Sequence, residues 1–209
     1  MRYRNRTDAG RQLASRLAGY AGRDDVIVLG LPRGGLPVAA EVAAGLRAPL
    51  DVFLVRKLGV PGYEELAMGA IAEGNIEVLN EDVVRSLEIP RAAIDRVVAL
   101  EQQELAGRAE RYRGQRPPPD VAGRIVILVD DGLATGATME AAITALRQLG
   151  PARIVVASPV GARDTCARLS AVADEVVCLL EPEHFDAVGL WYDNFTQTTD
   201  EEVKEILES

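Results

Sequence analysis

A short segment, residues 125–139 with the sequence IVILVDDGLATGATM, constrains the fold more than any other part of the chain. It opens with the apolar, β-branched-rich run Ile125–Val129, which is typical of a central parallel strand covered on both faces. Asp130 and Asp131 end the run, and a Gly/Thr-rich turn follows. Apolar residues then recur at helical spacing, at Ala142, Ile143, Leu146 and Leu149. The segment therefore predicts a turn that joins the carboxyl end of a buried strand to the amino end of a helix.

This predicted turn favours a bound anion. The first backbone N–H groups of a helix have no partner within it, and the helix dipole is positive at that end. Gly132 and Gly136 let the backbone approach an oxygen closely, while Thr135 and Thr138 offer hydroxyl donors. The turn has neither the Lys of a P-loop nor the glycine spacing of a dinucleotide-binding loop. A different phosphate-bearing ligand is therefore predicted.

The two adjacent acids need a separate explanation, because carboxylates repel a phosphate. An ionised carboxylate only accepts hydrogen bonds, so Asp130 and Asp131 suit the 2- and 3-hydroxyls of a ribose whose 5-phosphate lies in the turn. The alternative is a solvated Asp-Asp-Gly turn in which the threonines are helix caps. The preceding strand and the following helix favour the ribose interpretation.

The stretch VILVDDGLATGATM resembles the ribose-phosphate signature of type I phosphoribosyltransferases: a hydrophobic strand, two acids and a Gly/Thr-rich turn. The resemblance implies 5-phosphoribosyl 1-pyrophosphate (PRPP) as ligand, with Asp130 and Asp131 on its ribose hydroxyls. It also implies that the 5-phosphate is held by Ala134, Thr135, Gly136, Ala137 and Thr138.

Two further segments extend the resemblance. Leu31-Pro32-Arg33-Gly34-Gly35 is similar to the pyrophosphate loop of that family, where a strained or cis peptide aims N–H groups at the leaving group. Arg56 and Lys57 match the basic start of its mobile catalytic loop, here residues 58–67. The alternatives are an ordinary strand-to-helix turn with a surface Arg, and a solvated charge pair.

A cluster of aromatic residues follows the last predicted strand, in the sequence EPEHFDAVGLWYDNF. It loosely resembles the hood of purine salvage enzymes, where an aromatic ring stacks on the base. Phe185, Trp191 and Tyr192 are the candidate base contacts. Alternatively, these rings and Phe195 simply pack the hood onto the core or onto a dimer face.

The remaining pattern predicts an α/β fold with a parallel five-stranded sheet flanked by helices. Strands are expected at residues 26–29 and 50–55, a hairpin at 68–79 turning at Gly74-Asn75, and a first helix capped by Thr7 or Asp8. The whole of residues 1–209 is interpreted as a single phosphoribosyltransferase domain, with a core at about 21–80 and 121–180 and a helical insertion at about 81–116. A hood with the N-terminal helix completes it at about 181–209.

The long helix of the insertion, residues 90–113, has Ile94, Val98, Leu105 and Tyr112 along one side. We expect it to pack on the core or on another subunit, as in a homodimer, without a direct chemical role.

Composition excludes several classes of function. A net charge of -9 opposes non-specific binding to nucleic acid. The single histidine, His184, excludes a zinc site built on several histidines, and Cys166 and Cys178 are expected to be small core residues rather than a disulfide or metal pair. No membrane span or signal-peptide core is evident, so a cytoplasmic location is expected.

The expected activity is transfer of the 5-phosphoribosyl group of PRPP to a nitrogenous base with release of pyrophosphate, as in nucleotide salvage. Arg56, Lys57, Asp130 and Asp131 are its candidate catalytic residues. Mg²⁺ is the expected ion, held mostly by substrate and water with Asp130 and Asp131 as its candidate protein ligands. The alternative is a non-catalytic protein that senses PRPP, and a hydrolase of a related sugar phosphate is a third interpretation.

Overall fold

The computed structural model describes residues 2–209. In chain order the elements are α1 (Arg6–Arg16), β1 (Val26–Gly30), α2 (Gly35–Leu46), β2 (Leu50–Val52), β3 (Val55–Val60), β4 (Tyr63–Ala72), β5 (Ile76–Leu79), α3 (Glu81–Ser86) and α4 (Arg91–Arg113). They continue with β6 (Ile125–Val129), α5 (Ala137–Gln148), β7 (Arg153–Val160), α6 (Arg163–Leu169), β8 (Glu175–Leu180) and α7 (Asp200–Glu208). None of the helices in residues 2–209 combines the length and apolarity needed to cross a bilayer.

The main sheet is parallel and five-stranded, in the order β2-β1-β6-β7-β8, which confirms the predicted fold class. Alternate residues of β6 face opposite sides. Ile125 and Ile127 pack with α1 and α2, whereas Val126 and Leu128 pack with α5 and α6. A strand covered on both faces needs apolar residues at every position, which accounts for its uninterrupted apolar run.

A second, antiparallel sheet has the order β3-β4-β5. It corrects two expectations: the strand predicted at residues 50–55 ends at Val52, and residues 58–67 lie mostly in the paired strands β3 and β4 rather than in an open loop. An apolar run does not reveal where a chain passes from one sheet to another. The turn at Gly74 and Asn75 is confirmed, and both residues have positive φ, 83° and 59°.

The helix ends and α7 also differ from expectation. The N-cap of α1 is Asn5, whose side chain accepts a 2.9 Å hydrogen bond from the Asp8 N–H, so the predicted caps Thr7 and Asp8 lie inside the helix. The C-terminal helix α7 is an element that the apolar pattern does not predict. It begins with a capping box in which Thr199 and Glu202 bond each other's backbone N–H.

The long helix α4 packs on the core, which is one of the two expected arrangements. Its apolar side joins residues of β3, β4 and α7 in one buried cluster. At its C-terminal end Arg113, 5% exposed, pairs with Asp51 at 3.1 Å and with Glu73 at 2.7 Å. This ion network ties α4 to β2 and to the β4–β5 turn. Burial raises the pKa of Glu73, and Arg113 opposes the shift.

Candidate functional site

Two turns predicted to bind phosphates are neighbours because they follow the adjacent parallel strands β1 and β6. Their contact depends on glycines. A Cβ built on Gly35 would lie 2.7 Å from the Val129 carbonyl oxygen, and one on Gly34 would overlap the Asp131 carboxylate. The Pro32–Arg33 peptide between β1 and these glycines is cis, in agreement with the resemblance to a pyrophosphate loop. The carboxyl edge of the sheet thus brings both turns to one place.

The acid pair is fixed by protein contacts. Asp131 Oδ2 accepts a 2.8 Å hydrogen bond from Arg6 Nε, and these side chains are only 13% and 12% exposed. Asp130 Oδ1 accepts from the Asp131 N–H at 2.8 Å. The second oxygen of each carboxylate makes no hydrogen bond to residues 2–209. This arrangement does not match the alternative of a solvated turn.

Burial and neighbouring charges shift the pKa of both acids. Burial raises the pKa of Asp130, and the neighbouring charge of Asp131 adds to the effect. Burial also raises the pKa of Asp131, while the Arg6 guanidinium opposes it. Arg6 lies on α1, has no distinguishing signal in the sequence, and also stands 4.0 Å above the Phe195 ring.

The turn of residues 134–138 has the properties of an anion site. Gly136 has φ +74° and is the N-cap of α5. The Ala134 carbonyl oxygen accepts a hydrogen bond of 2.6 Å from Thr165, and the Thr135 carbonyl oxygen accepts one of 2.5 Å from Arg168, both on α6. These two acceptors of the turn are therefore already paired with protein donors. Within the described part of the chain, no acceptor exists for the N–H groups of residues 134, 135, 136 and 138. Unpaired N–H groups at a helix start form a binding site for phosphate oxygens.

The two basic residues of β3 are paired with acids and are not free in solvent. Arg56 Nε lies 2.6 Å from Glu101 Oε2 on α4. Lys57 Nζ lies 3.4 Å from the Glu65 carbonyl oxygen and 3.8 Å from its fully exposed carboxylate. Both side chains line a cavity of about 700 Å³ that also reaches Pro32 and Thr138. This cavity connects the basic residues with both turns.

The hood aromatics mainly form a packed cluster. Tyr192 is 4% exposed, stacks on Phe195 with ring centroids 5.0 Å apart, and donates its hydroxyl to the Asp131 carbonyl oxygen at 2.6 Å. Phe185 and Trp191 are half-buried against the same cluster. Tyr192 therefore supports the acid pair, and its buried ring corrects its candidate role as a base contact. No base contact is established for Phe185 or Trp191.

The two cysteines, expected to be small core residues, lie in or against the core and are also neighbours. Cys166 is buried and Cys178 half-buried, and both are free thiols. Their sulfur atoms and a Glu181 carboxylate oxygen lie within 4.8 Å of one another. The signal for this proximity is absent from the sequence because it depends on the packing of α6 against β8.

The fold and site together define an α/β protein in which two candidate phosphate-binding turns and an acid pair meet at the carboxyl ends of parallel strands. Residues 2–191 match the family profile described as phosphoribosyl transferase domain, and the chain belongs to this family.

Similar proteins and a similar solved structure support this family assignment. The chain is 54% identical over 204 residues to Rv0571c of Mycobacterium tuberculosis, a provisionally named phosphoribosyl transferase, covering 98% of this chain and 46% of that protein. It therefore spans about half the length of that relative. It is also 40% identical over 120 residues to the bifunctional protein PyrR of Chloroflexus aurantiacus, covering 56% of this chain and 58% of that protein. The crystal structure of TT1426 from Thermus thermophilus is similar with a TM-score of 0.92 and 49% identity, covering 99% of this chain and 98% of that one.

Proposed function

We propose that the protein transfers the 5-phosphoribosyl group of PRPP to a nitrogenous base and releases pyrophosphate. The observation that carries this proposal is the set of unpaired N–H groups in residues 134–138, which follow an acid pair with two oxygens that make no hydrogen bond within residues 2–209. The first suits a 5-phosphate and the second suits ribose hydroxyls. Membership of the phosphoribosyl transferase family supports the same ligand.

The reaction requires no covalent bond to the protein. The bond between C1 of the ribose and the pyrophosphate oxygen breaks, its electron pair leaves with pyrophosphate, and the nitrogen lone pair of the base forms the new bond to C1. A proton of the base passes to solvent. The transition state resembles an oxocarbenium ion, as in glycoside cleavage. The residues of the two turns act by orienting the ribose and its phosphates.

The positively charged side chains near the two turns would neutralise negative charge on the departing pyrophosphate. Arg33 lies on the cis-peptide turn directly after Pro32, and Pro32 and Lys57 line the same cavity. The contact of Lys57 with the exposed Glu65 is weak enough to exchange for a phosphate oxygen. Asp130 and Asp131 offer only oxygen donors, which suits Mg²⁺, so they are its candidate protein ligands while substrate and water would supply most of the coordination. When bound, the ion would neutralise charge on the diphosphate. Closure of the β3–β4 hairpin over the cavity would exclude water.

A turnover screen tests the proposal. Wild-type protein is incubated with PRPP, Mg²⁺ and each purine or pyrimidine base, and pyrophosphate release is measured. We expect release with at least one base, and we expect Lys57→Ala to lower kcat by about 10-fold or more while PRPP affinity changes little, because charge on the leaving group develops in the transition state.

A non-catalytic PRPP sensor is the second candidate, favoured by the pairing of Arg56 with Glu101 and of Lys57 with Glu65. Tight PRPP binding without pyrophosphate release for any base would select the sensor. In that case Lys57→Ala should lower affinity alone.

A further inference from the structure

The long helix α4 forms one wall of the cavity of about 700 Å³ that contains Arg56 and Lys57, called the main cavity below. The sequence suggests no chemical role for this helix. Five of its residues line the cavity, namely Val97, Leu100, Glu101, Leu105 and Arg108. The other lining residues include Pro32 on the turn after β1, Thr138, and both basic and acidic residues of the β3–β4 hairpin, namely Arg56, Lys57, Glu64 and Glu65. A ligand that reaches this cavity from the turn at Thr138 or from Pro32 therefore meets α4.

Arg108 has no acidic partner among residues 2–209, unlike two other arginines near the C-terminal end of α4. Arg111 pairs with Asp200 at 2.5 Å, and Arg113 pairs with Asp51 and Glu73. Arg108 is half-buried, yet none of the carboxylates in residues 2–209 lies within 4.0 Å of it. A guanidinium stays charged at any ordinary pH and presents five donors, so a half-buried one without an acid is a ready partner for an anion.

A second opening places the same residue beside the turn after β1. This recess of about 220 Å³ is lined by Pro32, Arg33, Arg108, Arg111, Tyr112 and Asp200. Asp200 is its only acid and accepts a 2.6 Å hydrogen bond from the Tyr112 hydroxyl. Three guanidinium groups facing one carboxylate leave a local excess of positive charge in a chain of net charge -9. Arg108 and Pro32 are the two residues common to the recess and the main cavity.

We propose that Arg108 binds the terminal phosphate of the diphosphate arm of the ligand, from α4, across the cavity from Lys57. The proposal rests on the proposed function, because it assigns the same ligand. The planar guanidinium forms paired hydrogen bonds with two oxygens of one phosphate. The local positive excess of the recess stabilises a group of high negative charge, whereas ribose 5-phosphate has no diphosphate arm to present to Arg108.

Calorimetry with three ligands tests the assignment: PRPP with Mg²⁺, inorganic pyrophosphate with Mg²⁺, and ribose 5-phosphate. Wild type is compared with Arg108→Gln, Arg108→Lys and Arg96→Gln, where Arg96 is an exposed arginine on the same helix and controls for net charge. We expect Arg108→Gln to weaken PRPP and pyrophosphate by about 10-fold to 100-fold, the size of one or two hydrogen bonds to a charged group, and to leave ribose 5-phosphate unchanged. Arg108→Lys should recover part of the loss.

The outcomes separate this inference from the proposed function. If wild type binds all three ligands and Arg108→Gln binds them equally well, the assignment of Arg108 fails and the proposed function stands. An equal loss for Arg96→Gln, or an equal loss for all three ligands, would also overturn it, since either result means a general electrostatic or folding effect. If wild type binds none of the ligands, both proposals fail. Urea unfolding of each variant shows whether it is folded.

Discussion

Arg6→Met is the substitution whose effect can be derived most completely from the structure. Methionine retains an unbranched chain over the Phe195 ring but removes the charge that faces Asp131 at 2.8 Å. Both side chains of this pair are nearly buried, at 12% and 13% exposure. Removing one partner of a buried pair leaves an uncompensated charge, which costs about 3–5 kcal/mol. The lost hydrogen bond from Arg6 to the Thr196 carbonyl oxygen, 2.7 Å long, adds to this destabilisation.

The pH dependence follows from the direction of the pKa shifts. Burial raises the pKa of Asp131 and Arg6 opposes the rise, so Arg6→Met should raise this pKa further. A carboxyl group whose pKa is raised by folding contributes stability below its unfolded pKa and loses it as the pH rises through the folded pKa. The destabilisation by Arg6→Met should therefore be largest, at about 3 kcal/mol, above the raised pKa of Asp131, and should decrease as the pH falls through that pKa and Asp131 becomes protonated.

Urea unfolding of wild type and variant across this pH range measures the effect. The variant Asp131→Asn and the double variant complete a thermodynamic cycle, in which the cost of Arg6→Met should largely vanish once Asp131 carries no charge. A cost that is independent of pH, or that is the same in the Asp131→Asn background, would refute the reasoning. Such a result would mean that Arg6 acts through packing alone.

Two further predictions concern the phosphate turn and the ion network. Gly136→Val should abolish binding of ribose 5-phosphate in calorimetry, because valine disfavours φ +74° and a Cβ there lies 2.6 Å from Thr165 Cγ2. Thr138→Val removes one hydroxyl donor and should have a milder effect, so it is the control. Normal binding by Gly136→Val would mean that the phosphate binds elsewhere. Arg113→Met should lower the free energy of unfolding by about 3–5 kcal/mol in urea, since Glu73 would stay buried without its cation. A loss below about 1 kcal/mol would contradict this view of the network.

The sequence is most informative where the signal is local. The strand, turn and helix of residues 125–148 follow from apolar runs and glycine positions, which depend only on neighbouring residues. The parallel sheet follows from the alternation of such units. The capping box of Thr199 and Glu202 is also local, and its Thr-x-x-Glu pattern is the signal in the sequence that indicates the start of α7.

Contacts between distant parts of the chain explain the remaining differences. The strand after Phe53 leaves the main sheet because Val55–Val60 pairs with Tyr63–Ala72, and an apolar run looks the same in either sheet. Arg6 and Asp131 are 125 positions apart, and nothing in the N-terminal sequence RNRTDAG distinguishes Arg6 from Arg4. Arg108 can be placed on a helix from the sequence, but the absence of an acid beside it is visible only in three dimensions.

The contacts between the N-terminal segment and the hood have a consequence for the kinetics of folding. Tyr3 bonds with the backbone of Trp191 and Asp193 at 2.8 Å, and Arg6 contacts Thr196, 190 positions away. Closing such a long loop carries an entropic cost that is recovered only after the intervening sheet has formed. The hood and the fixed position of Asp131 should therefore form late, after the parallel sheet. During refolding, amide protection at Tyr3 and Asp193 should lag behind that of Ile127, and the acid pair should acquire its ligand affinity in the slower of the two steps.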